Sequence, residues 1–173
     1  MASGYDWLQG AQVRVNLFHL IWNRVNLPKH SFIGWLMIQG RLYTKDMMLR
    51  FGVVSDGLCE LCRTQLEDHQ HLFFLCDFSI RCWTLLRDWI GVDLPTTDIL
   101  NWCVNWRCKS LLKKHMVYAA VVAMIYHIWM ARNICREENI VIAPWYIVIE
   151  IKSHIQNVHR SREWSTRYKH IVS

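Results

Sequence analysis

Cys59-Glu60-Leu61-Cys62 is a Cx2C pair, the spacing at which one tight turn presents two thiolates to a single tetrahedral ion. Eight residues separate Cys62 from His71, and four separate His71 from Cys76, so three sulfurs and one imidazole fall within one short segment. Four protein donors close the shell of a zinc ion and leave no position for a water or substrate, which predicts one structural Zn2+. Such a site contributes on the order of 10 kcal/mol to folding, comparable with the stability of a whole domain. Spacing alone leaves two alternatives open. The cysteines could be scattered core thiols, since free cysteine is among the most buried residue types. His69 also competes with His71 as an imidazole, or supports it from behind. Cys82 lies too far along the chain to be favoured, and Cys103, Cys108 and Cys135 read as buried thiols.

These donors have to be positioned by the elements around them, and the surrounding pattern is helical. Val13, Leu17, Leu20 and Ile21 follow a helical spacing that stops near Leu27-Pro28. A second helix starts after Pro28, carries Phe32, Trp35, Leu36 and Ile38 inward, and closes at Gly40, where a left-handed residue costs least. Thr44 is placed to cap a short helix holding Met47, Met48 and Phe51. From Gly52 to Asp68 the pattern lapses into turns or a short β ribbon, and helix resumes from His71 to Trp89, ended by Gly91 and Pro95. Thr97-Asp98 can cap a short helix through Trp106, and Lys109 to Glu138 reads as the longest helix. Pro144 opens a last helix with Trp145, Val148, Ile149, Lys152, Ile155 and Val158 along one stripe, turning basic and polar from His159 to Lys169. The predicted fold is mainly α: a zinc-binding domain over residues 12–90 with a zinc knuckle inserted between helices, then a C-terminal helical region with a basic tail over 96–173.

Composition bounds the function classes. With 173 residues, 53% hydrophobic, seven Gly and three Pro, the chain can bury a real core and is too short for a polymerase. An odd number of cysteines, seven, and a polar, acidic start point to an intracellular, reducing compartment with thiols or metal ligands in place of disulfides. Met116 to Ala131 falls short of the roughly 20 apolar residues that span a bilayer, and His127 interrupts it, so it reads as a buried helix with no membrane partner. A net charge of +6 permits a polyanionic partner without requiring one. Ten Trp can fill a core, anchor a partner or stack on bases; Trp22, Trp35, Trp83 and Trp129 read as packing, Trp7 and Trp164 as surface.

The segment from Trp22 to Trp83 resembles the zinc-binding domain found downstream of the reverse transcriptase in plant non-LTR (LINE-type) retrotransposons. The resemblance runs through Leu27-Pro28-Lys29-His30-Ser31-Phe32, Trp35, Arg41-Leu42, Thr44-Lys45-Asp46, Cys59-Glu60-Leu61-Cys62, Glu67, His71-Leu72-Phe73-Phe74, Cys76, Phe78 and Trp83. Ile128-Trp129 and Arg132-Asn133 are similar to a segment that commonly follows in these elements. It implies the same four ligands, Cys59, Cys62, His71 and Cys76, and a role in engaging nucleic acid inside a longer polyprotein. The catalytic parts of such a polyprotein are missing: there is no adjacent Asp-Asp pair, no palm-like motif and no recognisable ribonuclease H carboxylate set.

The chain is therefore expected to be a non-enzymatic, zinc-stabilised module that binds RNA or single-stranded DNA through charge and stacking, with no small-molecule substrate. Candidate contacts are Arg63, Lys109, Lys113, Lys114, Lys152, Arg160, Arg162, Arg167 and Lys169. Taken singly, each reads as an ordinary solvated charge; clustering on one surface would make them a binding face. The alternatives are a scaffold that docks a partner such as a reverse transcriptase domain, or a retrotransposon fragment with no selected function.

Overall fold

The computed structural model describes residues 17–95 and 99–168, with side chains described up to Val158 and at Arg160. The expected cap at Thr97-Asp98, Trp7, Trp164, the side chains of Arg162 and Arg167, and Lys169 lie outside that range. The architecture is helical. A helical stretch over 17–21 is followed by α1 (Pro28–Ile38), α2 (Lys45–Arg50), a π-helical turn (His71–Leu75), α3 (Asp77–Ile90), α4 (Ile99–Asn105), α5 (Leu111–Glu138) and α6 (Pro144–Tyr168). The anticipated ribbon narrows to a single antiparallel bridge between Leu58 and Leu66.

The 28-residue α5 forms the axis of the core and packs against α1, α3, α6 and the π turn. An 18-residue window of it is apolar enough, by length and composition, to cross a bilayer, yet 67% of that window is buried inside the protein. One apolar cluster joins the two halves of the sequence, from Leu17 and Ile21 through Leu72, Phe73 and Trp83 to Val121, Ile128, Ile151 and Ile155.

Local signals set several helix ends. The first stretch stops at Ile21, where Asn26 Nδ2 donates to the carbonyls of Leu20 (3.0 Å) and Ile21 (2.6 Å) and Ser31 Oγ donates to Ile21 (2.6 Å). α1 closes at Gly40 (φ +62°), with Gly40 N–H on Met37 and Arg41 N–H on Leu36, the paired bonds of a left-handed helix stop. Ser110 Oγ accepts from Lys113 N–H at the start of α5 (3.2 Å), while Gly91 (φ +63°) and Asn139 (φ +54°) end α3 and α5. Gly34 is needed for contact: a Cβ there would lie 2.9 Å from Ile21 Cδ1 and 3.2 Å from Val122 Cγ1, holding the first helical stretch and α5 away from α1.

Four side-chain placements differ from the sequence expectation. On α1 the buried face is His30, Gly34 and Met37, a helical i, i+4, i+7 stripe, and Phe32 is turned to solvent with Trp22 nearby in sequence also half exposed. On α6 the buried stripe is Ile147, Val148, Ile151 and Ile155, leaving Trp145 and Ile149 outside. Cys108 is partly exposed rather than buried. Thr44 stands at the N-cap of α2 but its hydroxyl donates to Asp46, so the capping acceptor for Lys45 N–H is the distant Glu67.

Candidate metal centre

The irregular stretch between α2 and α3 folds into a knuckle around two turns. Cys59 N–H donates to Gln65 O (2.8 Å) and Glu67 N–H to Gly57 O (2.9 Å), on either side of the Leu58–Leu66 bridge. Inside this ribbon-like pair the Cx2C turn reverses, with Arg63 in the left-handed region (φ +56°). Thr64 Oγ1 donates to the half-buried Cys62 Sγ (3.3 Å).

The other two donors come from a helix broken for the purpose. Asp68 Oδ1 caps His71 N–H (2.6 Å), and the chain then widens into a π turn whose closing bond is Cys76 N–H on His71 O (2.7 Å). Cys76 itself is extended (φ −66°, ψ 134°), so the single helix expected from His71 to Trp89 is interrupted there. The interruption brings the Cys76 sulfur back over the knuckle, 3.9 Å from Cys59 Sγ. A π turn leaves carbonyls without their usual partners, and side chains of α3 take them: Ser79 Oγ donates to Leu72 O (2.5 Å) and Trp83 Nε1 to Phe73 O (2.7 Å). Trp83 thus packs in the core, as its apolar stripe predicts, and also completes the backbone behind the site.

The donor atoms of Cys59, Cys62, His71 and Cys76 all lie within 4.8 Å of one another, with His71 Nε2 3.3 Å from Cys62 Sγ. A tetrahedral zinc with bonds of about 2.0–2.3 Å would hold such donors about 3.5–3.8 Å apart. The cluster fits one structural zinc. Burial lowers the His71 pKa, which keeps the ring neutral and its lone pair available to a metal. The contact with Cys76, reinforced by burial, pushes the Cys59 thiol well above its usual range, while donation from Cys59 lowers Cys76, helped by the N–H groups of Phe78 and Ser79 at the start of α3. Two sulfurs 3.9 Å apart resist ionising together, and a cation between them would remove that repulsion. His69 is buried but hydrogen-bonded toward the Leu42 backbone and stands outside the four-donor cluster, which resolves the competition in favour of His71. Among the described residues no other group of three or more His, Cys, Asp or Glu side chains has metal-binding geometry.

Sequence reasoning missed the charged frame behind the knuckle. Lys45, Glu60, Glu67 and Arg132 are all buried; Lys45 Nζ pairs with Asp56 and Glu60 (both 2.8 Å), Arg63 pairs with Glu60 (2.6 Å), and Arg132 pairs with Glu67 (2.7 Å). The signal available was the presence of Lys45, Glu67 and Arg132 among the residues of the resemblance.

The candidate nucleic-acid residues divide between two ends of the molecule. Arg63 belongs to the knuckle, beside Glu60, whose carbonyl touches Cys135 near the C-terminus of α5. Lys113 is 22 residues earlier on α5, about 33 Å away along the helix axis. Lys113 and Ser110 line a groove of ≈ 360 Å³ with Trp89 and Ile90 of α3 and Ile155 of α6, and Lys152 Nζ lies 5.6 Å above the Trp89 ring. Lys114 Nζ sits 5.5 Å from the Tyr118 ring, whose hydroxyl donates to Cys103 O (2.6 Å) and ties α5 to α4. Trp102 of α4 stacks on Trp106, just past the helix end, at 4.9 Å, with Arg107 and Lys109 exposed beyond. Arg160 is exposed on α6, five residues past Ile155. Lys113 and Lys152 therefore meet around Trp89, and the lysines at the start of α5 are separated from Arg63 by the length of that helix.

Comparison with known proteins agrees with the metal centre. Residues 1–83 match the family described as zinc-binding in reverse transcriptase, a span that contains all four donors and just under half of the chain. No curated protein and no solved structure matches the chain. The match and the cluster fit a zinc module from a reverse transcriptase.

Proposed function

We propose that this chain is a non-catalytic, zinc-stabilised module that binds single-stranded nucleic acid, RNA or DNA, and that it comes from a non-LTR retrotransposon protein of the plant LINE type. The observation that carries the reading is the basic and aromatic corner where α4 meets α5, continued along α6. Lys114 lies over Tyr118 and Lys152 over Trp89, Lys113 shares a groove with Trp89, the Trp102–Trp106 stack is tied to α5 through Tyr118 and Cys103, and the first turn of α5 holds no acidic residue to oppose a phosphate. Cations that track a backbone beside rings that stack on bases are the two parts of sequence-tolerant single-strand binding. The zinc supplies fold: it holds the knuckle that packs against the far end of α5.

Anisotropy of a labelled single-stranded RNA or DNA about 20 nucleotides long, titrated across salt, tests this. Binding should weaken steeply with salt, and Lys109→Ala/Lys113→Ala/Lys114→Ala together should flatten the log–log slope by about 2 units if each lysine contacts one phosphate. Arg63→Ala should leave the slope unchanged. Absence of binding, or a triple variant with the wild-type slope, contradicts the proposal. A second reading, a module that docks a partner such as a reverse transcriptase domain, draws on the exposed apolar side chains around the knuckle: Tyr43, Leu49, Phe51, Val53 and Leu66. It predicts association insensitive to salt.

A further inference from the structure

Glu67 is wholly buried, and its carboxylate ties three elements together. Oε1 accepts from Lys45 N–H at the start of α2 (3.0 Å) and from Nε (3.0 Å) and Nη2 (2.7 Å) of Arg132 on α5. Oε2 accepts from Glu60 N–H (3.1 Å), inside the Cx2C turn. One turn along α5 from Arg132, Cys135 donates its S–H to the Glu60 carbonyl (3.2 Å). Glu60 lies between the two knuckle cysteines, so both polar groups of its backbone are held by contacts that lead to α5. Arg132 is as buried as its partner, and its guanidinium also lies 5.1 Å from the Trp129 ring centre. Neither Arg132 nor Cys135 falls within the matched span of residues 1–83.

We infer that α5 is an integral part of the zinc site, with Arg132 (acting through Glu67) and Cys135 serving as positioning residues that hold the Cx2C turn in its ligating shape. The physical reason is that Cys59 is the turn's one fully buried apolar side chain, with Leu61 and Cys62 only half-buried against the core, and a metal site binds tightly only when its donors are held in place before the ion arrives. Opening the knuckle would also leave a buried guanidinium facing a buried carboxylate site that has moved away, a state far costlier than an exposed broken pair. Zinc affinity and the packing of α5 are therefore coupled, and the zinc module extends well past the matched segment.

The test is competition for zinc between the full-length, zinc-loaded chain and the chelator 4-(2-pyridylazo)resorcinol at neutral pH, with folding followed by Trp emission. Arg132→Met should weaken zinc retention about 10- to 100-fold, the usual range for groups that orient metal ligands from behind. Arg132→Lys, which keeps charge but not the two-pronged contact, should fall between it and wild type, and Cys135→Ala should give a smaller loss. Val121→Ala, wholly buried on α5 about 16 Å along the helix from Arg132, should lower the thermal midpoint and leave zinc affinity unchanged. If Arg132→Met does not fold, Arg132→Lys and Cys135→Ala carry the test. Wild-type zinc affinity in those two variants, or a loss in Val121→Ala equal to theirs, overturns the inference.

Discussion

His69 and His71 are both buried, two positions apart on one helical turn, yet only His71 turns its ring to the sulfurs. Two residues on a helix point about 200° apart, so the backbone cannot aim both at one ion. His71→Ala should abolish zinc binding by the purified chain, while His69→Ala should retain it with at most a modest loss of stability, both read by metal analysis after gel filtration. Zinc retained in His71→Ala would mean that the shell is completed elsewhere. At this scale the sequence was informative because zinc chemistry is local: all four donors lie within eighteen residues, Cys59 to Cys76, and their spacing is the signal. The Glu67–Arg132 pair joins residues 65 positions apart, a distance over which no spacing rule reports.

Three imidazoles meet where α1, α5 and α6 pack together: His30 lies 5.6 Å from both His127 and His154, ring centre to ring centre, and 4.5 Å from Tyr126. Burial holds the pKa of His30 down to about 3, with His127, His154 and Lys29 adding repulsion. Burial also holds His127 down to about 4, opposed by Glu150 and aided by Lys29 and His154. His154 is lowered by burial and by Lys29, against the Val25 backbone. Each ring protonates more readily in the unfolded chain, near 6.5, so the stability these rings allow is complete above pH 6.5 and is lost as pH falls toward 4 and 3. Acid also strips zinc from thiolates, and the difference between wild type and His30→Leu isolates the rings: the variant's thermal midpoint should fall less steeply between pH 6.5 and 4. Parallel curves would contradict this. Helix existence at this scale was legible from Gly40, Gly91 and Pro144, whose backbone preferences act alone. Which face is buried was not, because α1 and the first turns of α6 carry apolar residues all round and the choice belongs to the neighbour: Phe32 and Ile149 satisfy a helical stripe as well as Gly34 and Ile151 do. The break at Cys76 was hidden for a similar reason, since only closure of the donor cluster requires an extended residue inside an otherwise helical run.

Across the whole molecule, α5 links two functions at its ends. Its C-terminal part, through Arg132 and Cys135, braces the knuckle; its N-terminal part, with Lys113 and Lys114, forms the basic and aromatic corner proposed to meet nucleic acid. The sequence shows the charges but not that Lys152 of α6 folds back over Trp89 beside Lys113, an arrangement produced by the short connection from α5 to α6. One zinc, held by Cys59, Cys62, His71 and Cys76, is expected to close this fold. Native mass spectrometry of the full chain, coupled to circular dichroism during chelation, decides it. One zinc per chain, with helical signal lost as the chelator removes it, is the predicted result; a metal-free chain that keeps its full helical signal would contradict it.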